Sequence, residues 1–79
     1  MERSLNVGFG EAVKTLRMER GISQEELGRL AGLHRAHVGE IERGEISPTL
    51  DSVQVIADAL GAPPSHLVAL AEGNSRPAS

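Results

Sequence analysis

Four glycines, Gly21, Gly32, Gly44 and Gly61, each follow a short stretch of helical apolar periodicity. This punctuation limits what the chain can become, because a glycine just past the last turn accepts the left-handed backbone that closes a helix. Phe9, Ala12, Val13 and Leu16 fall at i, i+3, i+4 and i+7, which predicts a helix over about 9–20 with Lys14, Arg17 and Arg20 off its apolar stripe. Ser23-Gln24-Glu25-Glu26 reads as a capping box, in which the Ser23 hydroxyl accepts from the Glu26 backbone N–H. It opens a short helix over about 24–31 with Leu27, Leu30 and Ala31 facing inward. Leu33, Val38 and Ile41 mark the inner side of a third helix, about 34–43, with Arg43 in the favourable last turn. After Ser47-Pro48-Thr49, the residues Leu50, Val53, Ile56, Ala57 and Leu60 make the clearest amphipathic helix in the chain. Pro64 suits the first position of a last short helix, whose apolar contacts are Leu67 and Leu70. Residues 1–8 read as a flexible lead, 9–71 as one domain and 72–79 as a disordered tail. With no strand pattern and no internal repeat, this is an all-α bundle of five helices.

Composition removes several function classes. A length of 79 residues is one small domain, and 39% apolar with 24% charged residues is globular rather than disordered. The absence of cysteine excludes disulfides, thiolate metal sites and cysteine nucleophiles together. No apolar run is long enough to span a membrane, and the N-terminus has no apolar signal core. Phe9 is the sole aromatic residue, which argues against base stacking on an aromatic platform. His34 and His37 share a helix face, but His66 lies far off and no cysteine supports them, so no metal or other cofactor is expected. Neither a nucleophile elbow nor a phosphate-cradling glycine loop appears, so no catalytic residue is assigned and the chain does not read as an enzyme.

The net charge of −3 argues at first against a nucleic-acid partner, but it is unevenly placed. Residues 1–43 carry seven basic and seven acidic side chains, while 44–79 carry Arg76 against Glu45, Asp51, Asp58 and Glu72. A basic face on the first half remains available.

The informative segment is Ser23 to Gly44, a short helix, a glycine turn and a second short helix. That arrangement is a helix-turn-helix. Gly28 stands inside the first of these helices at a cost of roughly 1 kcal/mol against alanine, which calls for a close backbone approach there. Leu16-Arg17, then Gly21 through Leu27, Ala31-Gly32, Val38, Ile41 through Gly44, Pro48-Thr49-Leu50 and Ala59-Leu60-Gly61 together resemble the Cro/CI-type (XRE) family of bacterial and phage transcription regulators. The likeness covers about 9–70, nearly the whole domain, and is greatest to single-domain members such as controller proteins and small phage repressors.

The resemblance implies a lambda-repressor-like bundle whose third helix is the recognition helix in the major groove. It implies base contacts from Arg35, Ala36, Gly39 and Glu40: Arg35 to guanine and Ala36 to a thymine methyl, while Glu40 either accepts from cytosine N4 or repels phosphate. It implies phosphate contacts from Arg17, Gln24, His34, His37, Arg43, Ser47 and Thr49. If His34 or His37 meets phosphate, its protonation strengthens binding as pH falls. The chain departs from the family pattern at His34, where a Ser or Thr cap is usual, at His37, where an aromatic is frequent, and at Gly39 and Glu40. Leu67, Val68, Leu70 and Ala71 exceed what one terminal helix needs for its own core, and so predict a homodimer interface that sets two recognition helices about 34 Å apart. The resulting expectation is a cytoplasmic, homodimeric regulator of a pseudo-palindromic double-stranded DNA operator, with no membrane partner. The alternative is a protein-interaction adapter, such as an antitoxin subunit or coactivator, that uses the same fold for a protein partner.

Overall fold

A computed structural model describes residues 4–75. Among the described residues five helices follow one another: α1 (Leu5–Glu19), α2 (Gln24–Ala31), α3 (Arg35–Glu42), α4 (Leu50–Leu60) and α5 (Pro64–Ser75). The expected five-helix, all-α bundle is what forms. Gly21, Gly32, Gly44 and Gly61 all adopt φ between 69° and 73°, the left-handed conformation that ends a helix without a Cβ clash. The starts of α1 to α4 are also fixed locally by a capping side chain. Ser23 accepts from the Glu26 N–H at 3.0 Å, and Thr49 accepts from the Ser52 N–H at 3.0 Å, so orphan donors of the first turn are satisfied.

The core joins all five helices. Phe9, Val13 and Leu16 from α1 meet Leu27 from α2, Val38 and Ile41 from α3, Ile56 and Leu60 from α4, and Leu67 from α5. α1 lies chiefly along α5, and α2 against α3. Gly28 is required by a close approach: a Cβ there would collide with the Leu33 carbonyl of the turn between α2 and α3.

Three expectations change. First, α1 begins at Leu5 rather than near residue 9, with Ser4 as its cap accepting from the Val7 N–H at 3.2 Å. Gly8 and Gly10 lie inside this helix because they are contact points. A Cβ on Gly8 would strike the Ala71 carbonyl, and one on Gly10 the Ile41 carbonyl. Residues 4–8 are therefore helix and cap; residues 1–3 of the expected lead lie outside the described residues. Second, α5 continues to Ser75, where Asn74 Nδ2 donates to the Gly8 carbonyl at 3.0 Å. Residues 72–75 thus close against the first turn of α1, and 76–79 lie outside the described residues. Third, Leu30 and Leu50 are 48% and 87% exposed, not inward-facing.

Candidate functional site

α2 and α3 form the helix-turn-helix, joined through Gly32 at φ 73°. α3 has no Ser, Thr, Asp or Asn at its start. His34 takes that place: its Nδ1 accepts from the Ala36 N–H at 3.0 Å. The ring nitrogen must be unprotonated to do so, which puts the ring proton of the neutral form on Nε2, pointing away from the helix. The cap leaves Arg35 and Ala36 exposed in the first turn of α3.

Beside that turn lies an open concavity of about 550 Å³. α3 contributes Arg35, Ala36, Gly39 and Glu40 to it, so all four expected base-contact positions are brought together. Gln24 from α2, with Arg43 and Glu45 beyond α3, complete the lining. His34, His37, Ser47 and Thr49 do not line it.

Gly39 has a different role from the one expected. It is buried, and an added Cβ would sit 3.0 Å from Arg43 Nη1 and 3.6 Å from Gln24 Oε1. The missing side chain makes room for these two polar groups to lie over the helix, so Gly39 brings no side chain to the concavity that it lines.

Arg17, expected to meet phosphate, is instead an internal strut. Its Nε and Nη2 donate to Glu42 at 2.7 and 3.1 Å, and Nη1 donates to the Ile22 carbonyl at 2.9 Å. Only 12% of the Arg17 side chain and 3% of the Glu42 side chain are exposed. Hydrogen bonding to Glu42 raises the Arg17 pKa above its already high ordinary value, against the opposing effect of burial. Glu42 Oε1 also accepts from Gln24 Nε2 at 3.0 Å. One buried carboxylate thereby ties α1, α2 and α3 together and fixes which way the Gln24 amide points. Sequence reading missed this. A signal was present: Arg17 follows Val13 by four residues and Glu42 follows Val38 by four, so two opposite charges border apolar stripes.

The other arginines of this surface are paired in the open. Arg43 chelates Glu45 through Nε and Nη2 at 2.7 and 3.2 Å, which raises the Arg43 pKa and lowers that of Glu45. Arg35 reaches Glu25 through Nη1 alone, at 3.0 Å. Ser47 accepts from Asn6 Nδ2 at 2.7 Å, and Thr49 donates its hydroxyl proton to Ser52 at 3.1 Å. Both lie exposed on the approach to α4.

The expected dimer positions divide. Leu67 and Ala71 are 0% and 1% exposed and belong to the core between α1 and α5, so Leu67 cannot form an external face and Ala71 contributes only to the lining of a groove. Val68 is 41% exposed and Leu70 partly buried. Leu5 at 51% and Leu50 at 87% are the larger apolar exposures near Val68. These three, with Asn6, Phe9, Pro48, Val53 and the buried Ala71, line a largely apolar groove of about 260 Å³ between α1, α4 and α5, so Val68 and Ala71 of the expected interface residues lie in it. Among the described residues, no group of three or more acidic or histidine side chains is placed to hold a metal ion, and no helix is long and apolar enough to cross a membrane.

Comparison with known proteins matches a helix-turn-helix family model, HTH_3, over residues 13–67. The control protein C.BamHI of Bacillus amyloliquefaciens is 35% identical over 69 residues, spanning 86% of this chain and 85% of that protein. The immunity repressor of Bacillus phage phi105 is 36% identical over 59 residues, 75% of this chain but 41% of the repressor. Among solved structures, the restriction-modification controller protein C.AhdI from Aeromonas hydrophila superposes with a TM-score of 0.77 at 40% identity, covering 78% of this chain and 94% of that one.

Proposed function

The chain belongs to the helix-turn-helix family HTH_3, a family of DNA-binding transcription regulators and not of enzymes, and from this premise we propose that it reads a pseudo-palindromic double-stranded DNA operator as a homodimer in the cytoplasm. The observation that carries the reading is the concavity on α3, where Arg35, Ala36 and Glu40 stand together beside Gln24 and Arg43.

In this reading α3 enters the major groove by its N-terminal half. Arg35 donates to guanine O6 and N7, Ala36 packs on a thymine methyl, and Glu40 accepts from cytosine N4. Gln24, held by Glu42, turns its remaining polar groups to the sugar-phosphate backbone. Arg43 exchanges Glu45 for a phosphate, and the exposed hydroxyls of Ser47 and Thr49 and the rings of His34 and His37 give further backbone contacts. These contacts fix register; the three α3 side chains supply sequence preference.

A single copy offers few contacts, and a twofold dimer doubles them at high effective concentration. The groove beside Leu5, Leu50 and Val68, with Ala71 in its lining, is the surface we assign to the second copy, in place of Leu67. Leu50 has almost its whole side chain in water, and covering it restores the apolar burial that a lone chain forgoes. The adapter reading draws on one observation, that Arg35 and Arg43 are both already paired with carboxylates. Duplex titration across a salt series separates the two. A DNA reader loses affinity steeply as salt rises, whereas an adapter shows at best micromolar binding that is blind to sequence.

A further inference from the structure

Among the described residues, and apart from Arg20, whose Nη1 lies 3.9 Å from Glu19 while its Nε donates to the Leu60 carbonyl, the arginines meet carboxylates in two ways. Arg17, Arg29 and Arg43 each present the Nε–Nη2 edge of the guanidinium, the edge that forms two parallel bonds. Arg35 differs. It touches Glu25 through Nη1 only, which leaves the Nε–Nη2 edge without a carboxylate partner. A guanine presents O6 and N7 to just such an edge.

The position of Glu25 sharpens the contrast. It stands in the first turn of α2, next to Gln24, where a carboxylate close to DNA repels phosphate. Its neighbour Glu26 is occupied by Arg29 at 2.6 and 3.0 Å. Glu25 instead reaches across to α3, ten residues along the chain, and does not line the concavity that Arg35 lines. It holds the arginine from outside, and the open edge is left for the groove.

We propose that Glu25 is a specificity-determining positioning residue, which anchors Arg35 by Nη1 so that its free edge meets a base and denies that arginine to passing phosphates. The inference rests on the DNA-reading function proposed above. Its physical basis is an asymmetry between complexes. On the preferred sequence the Arg35–Glu25 bond persists while the other edge binds guanine, so the arginine loses little freedom on binding. On random DNA the nearest anion is a phosphate, and Arg35 reaches it only by leaving Glu25, while Glu25 itself repels that phosphate. Removing Glu25 should therefore weaken base preference and leave non-specific binding unchanged or stronger.

The test uses the full chain and fluorescence anisotropy on three duplexes: one enriched by selection from a random library, the same duplex with the Arg35-dependent base pair exchanged, and a random pool. Arg35→Ala first identifies that base pair. Glu25→Ala is then expected to cut the preference at the same base pair by about fivefold, the upper end for an exposed ion pair, and to leave random-pool affinity unchanged or up to about fivefold tighter. Glu25→Gln, which keeps an acceptor without the charge, should fall between the wild type and Glu25→Ala. Combined with Arg35→Ala, the Glu25 substitution should cost no further preference. Equal tightening on all three duplexes would overturn the proposal, since Glu25 would then act only as a negative charge. So would a loss of preference that adds to that of Arg35→Ala. A wild type that prefers no duplex refutes the DNA-reading function and this inference with it; a preference that Glu25→Ala leaves intact refutes this inference alone.

Discussion

Glu42→Ala is the perturbation that most sharply separates a strut from a surface charge. The substitution deletes both acceptors of Arg17, at 2.7 and 3.1 Å, and the acceptor of Gln24 at 3.0 Å. Arg17 is left with its bond to the Ile22 carbonyl and 12% of its side chain in water. Stranding one member of a buried ion pair costs about 3–5 kcal/mol. The partial exposure of Arg17 lets water satisfy some of its donors, which moves the expectation to the lower end, about 3 kcal/mol. For a domain of this size that lowers the melting temperature by about 12–24 °C. Urea unfolding followed by far-ultraviolet circular dichroism gives the free energy directly. The double variant Arg17→Met/Glu42→Leu removes both charges into an apolar surround, so it should be more stable than Glu42→Ala by at least about 1 kcal/mol. A loss below about 1 kcal/mol for Glu42→Ala, the range of exposed pairs, would refute the assignment of Glu42 as the buried tie between α1, α2 and α3.

Further outcomes follow from the same geometry. Leu50→Glu should leave the fold within about 0.5 kcal/mol of wild type, because Leu50 is 87% exposed, while sedimentation changes from dimer to monomer; a wild type already monomeric, or a variant still dimeric, contradicts the groove as the second-copy surface. Gly8→Ala forces a Cβ onto the Ala71 carbonyl and should cost about 1–3 kcal/mol in thermal unfolding, where an ordinary glycine-to-alanine change within a helix would stabilise. His34→Ala removes the acceptor for the Ala36 N–H and should cost about 1 kcal/mol, and His34→Asp should recover it, both read from urea midpoints.

Much of this structure is legible in the residues. The four left-handed glycines, the Ser23 cap and the inward positions Leu27, Ala31, Val38 and Ile41 follow from local rules that act within one turn of helix, whereas Leu30, expected to face inward, does not. What stays hidden depends on contacts distant in sequence. Gly8 and Gly10 read locally as helix breakers, and only the closeness of Ala71 and Ile41 explains why α1 runs through them. Arg17 and Glu42 are 25 residues apart, and each alone reads as a solvated charge. Leu67 and Leu50 look alike as leucines in the first turns of α5 and α4; the packing of α5 on α1 buries the first and leaves the second in water. Gly39 reads as a weak spot in a recognition helix until Arg43 and Gln24 are seen lying over it.

The central claim, that α3 reads duplex DNA from a twofold dimer, is tested most directly by selection from a random duplex library with the purified protein at about 150 mM salt, the physiological range. The account predicts enrichment of a motif with twofold symmetry, its half-site centres about 10–10.5 base pairs apart or a multiple of that. Retention of the library with no enriched sequence would contradict it.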